Sequence, residues 1–561
     1  MARRTLAPPS VRLPALACLI ALAACQADDD GMSPGETSTG QPASTGETSN
    51  PTTGPQDSTS ASSEPGDTGT SSSTPDDPST SSTGDISTAS TSDITTTSTA
   101  DTTDTTTTTA DQTTGDLDDD CGAAELIHAP PAAEVDGLTA VPIDIFKNTA
   151  VVTIDAATKQ VTAVATLEFR LGPVGGDPLF DLRQPVLTAE LDGQSIPPQL
   201  LAAHDLGGGP GAELRVLAAD LPPCSAHTLV LTYEIIKPNA PQSKAIVWEG
   251  DTTRLKWDSW NSDLWPGRYL ESWFPANLIY DHFPFTLEIT LLNSNFPHAL
   301  ATNGALEQLA DHHWKISYPG HYTALSPMFV LVAESRVDRS TVQLDLVDAT
   351  SLTLELWKDK DVPTTLPEFQ AILAPVLDDL VTTVGPYPHG DRFVAYAWND
   401  PSRSMEYDGA TTTTPESADH ETFHSWWGRS VKPATQNDGW IDEAWDMHSV
   451  TVGFNETPID MFADPVTLSP KNPWIRSTPG EAYTVGEQVF AGIGAMVGTP
   501  ALRAAMTEFY TAHTHDQVTT AQLEQHLFCV LNNEAGVRAV FHRFVHGYDG
   551  EPAPVPPDFC D

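Results

Sequence analysis

The sequence predicts two folded domains behind a long disordered N-terminal linker: an antiparallel β-sandwich, then a mainly helical α+β domain. Three observations predict this arrangement. From Gln26 to about Asp120 the chain is almost entirely Ser, Thr, Gly, Pro and Asp. Between about Asp136 and Asp348 it breaks into short runs rich in Val, Thr, Ile and Leu, separated by Gly, Pro, Asn and Asp, which is the pattern of half-buried strands and turns. From about Ser351 apolar residues recur at helical spacing, so a helix-rich unit follows the sheets. The expected boundaries are 1–24 for an export signal, 25–120 for the linker, 121–350 for the sandwich and 351–561 for the last domain.

Arg3 and Arg4 precede an apolar run from Leu13 to Ala24, too short to span a bilayer and of the right length for a signal-peptide core. Leu22-Ala23-Ala24-Cys25 has the form of a bacterial lipobox, in which the chain is cut before Cys25 and that cysteine takes a lipid. The alternative is an ordinary secretory signal with a cysteine nearby. Gln26, not aspartate, follows the cysteine, so a lipid anchor in the outer membrane of a bacterial envelope is expected, on its periplasmic or surface face.

From Gln26 to about Asp120 there is no lysine, arginine or aromatic residue. Such a chain has too little apolar surface to offset the entropy of ordering, so it stays disordered and serves as a tether. As a flexible coil its ends lie on the order of 50 to 60 Å apart. The formal net charge of the whole chain is -49, and the linker aspartates supply only part of it. This excludes nucleic acid as an expected partner, and adhesion to anionic membrane through a basic patch. No obligate protein partner is implied.

Of the six cysteines, Cys18 leaves with the signal and Cys25 takes the lipid, which leaves Cys121, Cys224, Cys529 and Cys560. An even number in an exported chain suggests two disulfides. Pairing Cys121 with Cys224 and Cys529 with Cys560 keeps each bridge within one domain. The second closes a loop of about thirty residues, worth roughly 3 to 4 kcal/mol in the chain-entropy model.

In the sandwich, TAVVTID, VTAVATLEFRL, HTLVLTYEII and FTLEITLL read as strands. Trp257, Trp260, Trp265 and Trp273 either line a groove or fill the core, and their bulk favours the core. In the last domain LPEFQAILAPVLDDLVTTV reads as a helix, RFVAYAW as a strand, and SMEYDGATTTT as an edge strand ending just before His420. Further helices are expected from Tyr483 to Val497, Ala501 to His513, Thr520 to Leu531 and Val537 to Val545.

The chemistry is concentrated between His420 and Trp445. His420, Glu421 and His424 have the form H-E-x-x-H. On a helix the four-residue spacing puts both imidazoles on one face, one turn apart, where they can hold a zinc ion. Glu421 leans to the same side without pointing at the metal, as a general base for a zinc-activated water would. After His424 come eighteen residues and then Glu443, inside WIDEAW, the start of a second helix able to fold back on the first. Three protein ligands leave a fourth tetrahedral position open, the mark of a catalytic site. Asp442 and Asp446 either accept a ligand histidine's N–H or lie on a solvated helix face. His448, His282, His513, His515 and His526 read as non-ligands.

These residues reproduce the zinc signature of the gluzincin metallopeptidases, and HSWWG followed by GWIDEAW resembles the aminopeptidase N family in particular. The resemblance extends through RYLESWFPANLIYDHFPFTLEITL and HHWKISYPGHYTALSPMFVLVA. It implies a thermolysin-like catalytic domain holding one zinc ion through His420, His424 and Glu443. SMEYDGA is similar to the family's G-x-M-E-N motif, which implies that Glu406 binds the substrate's free amino terminus. AYTVGEQVF is similar to the Y-x-K-G segment, which implies that Tyr483 stabilises the oxyanion. The sequence departs from these motifs at Arg403-Ser404, at Tyr407 and at Val485.

The expected function is therefore that of an exported zinc metallopeptidase removing amino-terminal residues from peptides with a free N-terminus. The alternatives are an endopeptidase on the same zinc, or a surface-tethered binding module that no longer turns over.

Overall fold

The computed structural model describes residues 121, 126–239, 244–259, 261–532 and 535–560. The expected signal and linker, Cys25 and Trp260 lie outside them.

Strands β1 (Ile143–Asp155) and β2 (Gln160–Leu171) form a long hairpin, paired from Ile143 opposite Leu171 to Asp155 opposite Gln160 with one bulge between Ile145 and Lys147. The alternation in VTAVATLEFRL is realised residue by residue: Val161, Ala163, Ala165, Leu167, Phe169 and Leu171 are buried and their neighbours are not. On the far side of β2 lies β3 (Ala226–Glu234), and on the far side of β1 lies β4 (Phe285–Leu292), all within an eight-stranded sheet. One expectation is corrected here. The sheet is not wholly antiparallel, because β4 runs parallel to β1, with Phe285 opposite Asn148. Between β3 and β4 the chain detours through Val247–Trp248 and Leu255–Asp258 in a separate four-stranded sheet, and a long crossover of that kind lets a strand return in the parallel sense where a hairpin cannot. The two sheets share one core, in which Val152, Leu167 and Leu287 meet Trp257, Phe329 and Leu331. Trp257 and Trp273 are core residues, and Trp265 is 38% exposed.

The next sheet begins before residue 351. It contains β5 (Val337–Asp345), β6 (Ser351–Asp359), β7 (Arg392–Ala397), β8 (Met405–Tyr407) and β9 (Ala410–Thr413), in the order β5-β6-β7-β9-β8. Its two faces are both covered. Phe393, Ala395 and Ala397 pack on the helices, while Val394 and Tyr396 join the core of the preceding sheets. Burial on both faces explains why RFVAYAW is apolar almost throughout instead of alternating. SMEYDGATTTT is a hairpin of β8 and β9, not a single strand, and β8 is its edge. It turns at Gly409, whose φ is +65° and where a Cβ would come within 2.9 Å of Tyr387 and His389, so only glycine fits.

Helix α1 (Leu366–Thr383) starts at a capping box in which Thr365 and Glu368 satisfy each other's backbone N–H, and it buries Phe369, Leu373, Leu377 and Leu380 against the sheet. Then come α2 (Ala418–Phe423), α3 (Trp440–Asp446), α4 (Val485–Val497), α5 (Thr499–His513) and α6 (Thr520–Val530). The last expected helix is α7 (Ala535–Val540) continued by a π-turn over Phe541–Val545. Tyr483 ends a 3₁₀ turn just before α4 instead of starting the helix. Disulfides join Cys121 to Cys224 and Cys529 to Cys560, as expected.

Candidate active site

Helix α2 is a short helix that ends as it delivers its second histidine, with His424 at its C-cap. The Nε2 atoms of His420 and His424 lie 3.3 Å apart. Helix α3 brings Glu443 to them, with Oε2 3.5 Å from each Nε2. Three electron-pair donors therefore converge on one point without a hydrogen-bond partner for Glu443 Oε2 among the described residues. Zinc bonds of about 2.0 to 2.1 Å at tetrahedral angles require donor separations of about 3.3 to 3.4 Å. The residues fit the ion. The His424 ring is fully buried and His420 keeps 14% exposure, so the open side lies toward His420.

The other ring nitrogens are occupied by the protein. Nδ1 of His424 is 3.2 Å from the Trp427 carbonyl. Nδ1 of His420 is 2.8 Å from Oδ2 of Asp446, although the contact is too bent for a well-aligned hydrogen bond, and the same oxygen lies 3.4 Å from His424 Nε2. Asp442 and Asp446 are both buried, not on a solvated face. Asp442 packs on Gly428, whose φ is +96° and where a Cβ would run into Asp442 Oδ2. Against protons alone, burial opposes charge on both histidines but is outweighed. Asp446 and Glu443 raise His420, and Glu406, Glu443 and Asp446 hold His424 up at about 10. Burial also opposes charge on Glu443, yet the two imidazoles hold it well below the usual range. The cluster is built to carry positive charge at its centre.

Glu421 is 5% exposed, and its Oε2 has no hydrogen-bond partner among the described residues. Burial, opposed by His420 and reinforced by Glu406, raises its carboxyl well above the ordinary value, which makes it a stronger base. Tyr483 donates a hydrogen bond from its hydroxyl to Oε1 of Glu443, and its ring stacks on His420 with centroids 6.4 Å apart. Glu406, on the edge strand β8, is also at the site, and its Oε1 accepts from Nη2 of Arg429 at 2.6 Å.

Two residues here escaped the sequence reading. Asp263, from the loop after Leu255–Asp258, has a carboxylate oxygen within 4.8 Å of those of Glu406 and Glu443. Burial and Glu406 push it up to about 7. No spacing signal links residues so far apart in the chain. Arg429 did leave a signal, a charge within the apolar run FHSWWGRSV. The other histidines lie elsewhere: His448 against Trp445 and Phe490, His526 on the Ala505 carbonyl, and His282, His513 and His515 around a surface cavity with His128.

No family model matches the sequence, and neither does any curated protein. The fold does match solved structures, and the class they define is that of the M1 zinc metallopeptidases. A Deinococcus radiodurans M1 zinc metallopeptidase superposes with a TM-score of 0.52 at 17% identity, over 76% of this chain and 99% of that one. Legionella pneumophila aminopeptidase A, in complex with aspartic acid, gives 0.53 at 11% identity, over 74% of this chain and 51% of that one. Yeast LTA4 hydrolase in complex with bestatin gives 0.50 at 13% identity, over 74% of this chain and 69% of that one. The chain shares their fold, a β-rich region followed by a helix-containing one.

Proposed function

We propose that this chain is a zinc metallopeptidase that removes amino-terminal residues from peptides outside the cytoplasm. The observation that carries this reading is the triangle of His420 Nε2, His424 Nε2 and Glu443 Oε2, with edges of 3.3 to 3.5 Å. Those three residues would hold one zinc ion. When bound, zinc supplies Lewis acidity and a water acidic enough to lose its proton near neutral pH. Glu421 takes that proton as the water oxygen attacks the first peptide carbonyl, and passes it to the leaving nitrogen as the C–N bond breaks. Tyr483 turns its hydroxyl from Glu443 to the developing oxyanion. Glu406 and Asp263 face the substrate's ammonium and so set one residue as the distance from chain end to attacked carbonyl.

The Deinococcus radiodurans relative has been solved with a Tyr-Ser-Ala substrate, and short peptides with a free amino terminus are the class proposed for this chain. The lipobox at Cys25 and the Ser/Thr-rich stretch after it support an enzyme tethered to the outer membrane of a bacterial envelope. The test is a panel of aminoacyl-naphthylamides beside the same compounds and peptides with acetylated amino termini, with zinc content measured in parallel. Cleavage of free substrates alone supports the aminopeptidase. Cleavage of blocked peptides would replace it with the endopeptidase, and bound zinc without any cleavage with the binding module.

A further inference from the structure

The amine-facing end of the site contains a cation of its own. Arg429 lies five residues beyond His424, and its side chain has no exposure. Nη2 donates to Glu406 Oε1 at 2.6 Å, Nε donates to the Glu406 carbonyl at 3.3 Å, and Nη1 donates to the Gly428 carbonyl at 3.0 Å. Nη2 also lies 3.7 Å from Oδ2 of Asp263. The guanidinium grips residue 406 by side chain and backbone together, and borders the second carboxylate. It does so from the buried side.

Glu406 and Asp263 present carboxylate oxygens within 4.8 Å of each other. In a water-poor interior two such charges repel and drive each other apart or into sharing a proton, unless a cation lies between them. Asp263 is 8% exposed, and its Oδ1 is buried without a hydrogen-bond partner among the described residues. Arg429 sets one positive charge against the two carboxyl groups, and a substrate ammonium supplies a second.

We propose that Arg429 is a positioning residue for peptide recognition, holding the Glu406 carboxyl group beside Asp263 so that the pair faces the substrate's free ammonium. This rests on the aminopeptidase reading. A bidentate grip of this kind is specific to arginine, since lysine keeps the charge but cannot reach side chain and backbone at once.

The test measures kcat and KM of the zinc-loaded full chain on free and acetylated aminoacyl-naphthylamides, for wild type, Arg429→Gln, Arg429→Lys, Glu406→Gln and the Arg429→Gln/Glu406→Gln double variant. Arg429→Gln is expected to raise KM for free substrates about ten- to hundredfold. It should lower kcat less than it raises KM, and shrink the preference for free over acetylated substrates by a similar factor. Arg429→Lys should recover part of the loss, and carries the test if Arg429→Gln does not fold. In the Glu406→Gln background the same change should add little, because partners acting as a unit are not additive. Wild-type KM and preference in Arg429→Gln, or full additivity with Glu406→Gln, overturns the inference and leaves the aminopeptidase reading intact. A wild-type enzyme that does not prefer free substrates overturns the reading itself, and this inference with it.

Discussion

Asp446 controls how His420 is held, and its replacement has a calculable effect. The carboxylate has no exposure, and its Oδ2 lies 2.8 Å from His420 Nδ1, so it orients the ring and loads it with electron density. Asp446→Asn keeps the shape and still offers an oxygen to Nδ1–H but removes the charge. An aligned charged hydrogen bond contributes about 1.5 to 3 kcal/mol and a neutral one about 0.5 to 1.5; this close but poorly aligned ion pair contributes toward the lower end, so about 1 to 1.5 kcal/mol is lost with the charge. At about 1.4 kcal/mol per factor of ten, zinc affinity should fall about five- to tenfold. Asp446→Ala also leaves Nδ1–H buried without a partner, and there the fall should be about ten- to hundredfold. Competition with a fluorescent zinc chelator measures both, and peptidase activity should return in each variant as zinc is raised to saturation. If both variants bind zinc as tightly as wild type, Asp446 does not orient His420 and the reasoning fails.

Glu421→Gln should lower kcat by about 10²- to 10⁴-fold with zinc stoichiometry kept, as metal analysis beside steady-state kinetics would show. Near-normal turnover would remove Glu421 as the base. Tyr483→Phe loses a donor worth about 2.7 to 4 kcal/mol, so kcat should drop a hundredfold or more while zinc stays bound. His389 is a half-buried histidine whose Nε2 donates to the Ser425 carbonyl at 2.7 Å, and desolvation pushes its imidazole down to about 4 from 6.5. Below about pH 6.5 the unfolded chain takes a proton that the folded one refuses, so stability falls with pH by about 1.4 kcal/mol per unit down to about pH 4. Urea denaturation of His389→Gln at pH 7 and pH 5 should show a shallower loss than wild type. An equal loss would mean that another group carries it.

The strand β2, the helix α1 and the H-E-x-x-H turn were legible because each is encoded within one segment. The alternating burial of Val161 to Leu171, the Thr365–Glu368 cap and the four-residue step from His420 to His424 need only a few consecutive residues to specify them. The step from His424 to Glu443 was legible for the same reason, since a short turn and a second helix suffice to close it. Asp442 and Asp446 were ambiguous because a charged residue on a short helix is solvated or buried according to what packs on it, and here α2 covers that face.

Local pattern thus determined the element types and the candidate zinc triad, while the disulfide pairings followed from the expected domain boundary and the structure has them. Tertiary structure alone decided that β4 lies parallel to β1, that Asp263 joins Glu406, and that Arg429 is spent inside the protein instead of facing solvent. The physical reason is range. Periodicity and capping act over one or two turns of chain, whereas the sense of a crossover strand and the partner of a buried charge depend on which distant surfaces meet when the cores close.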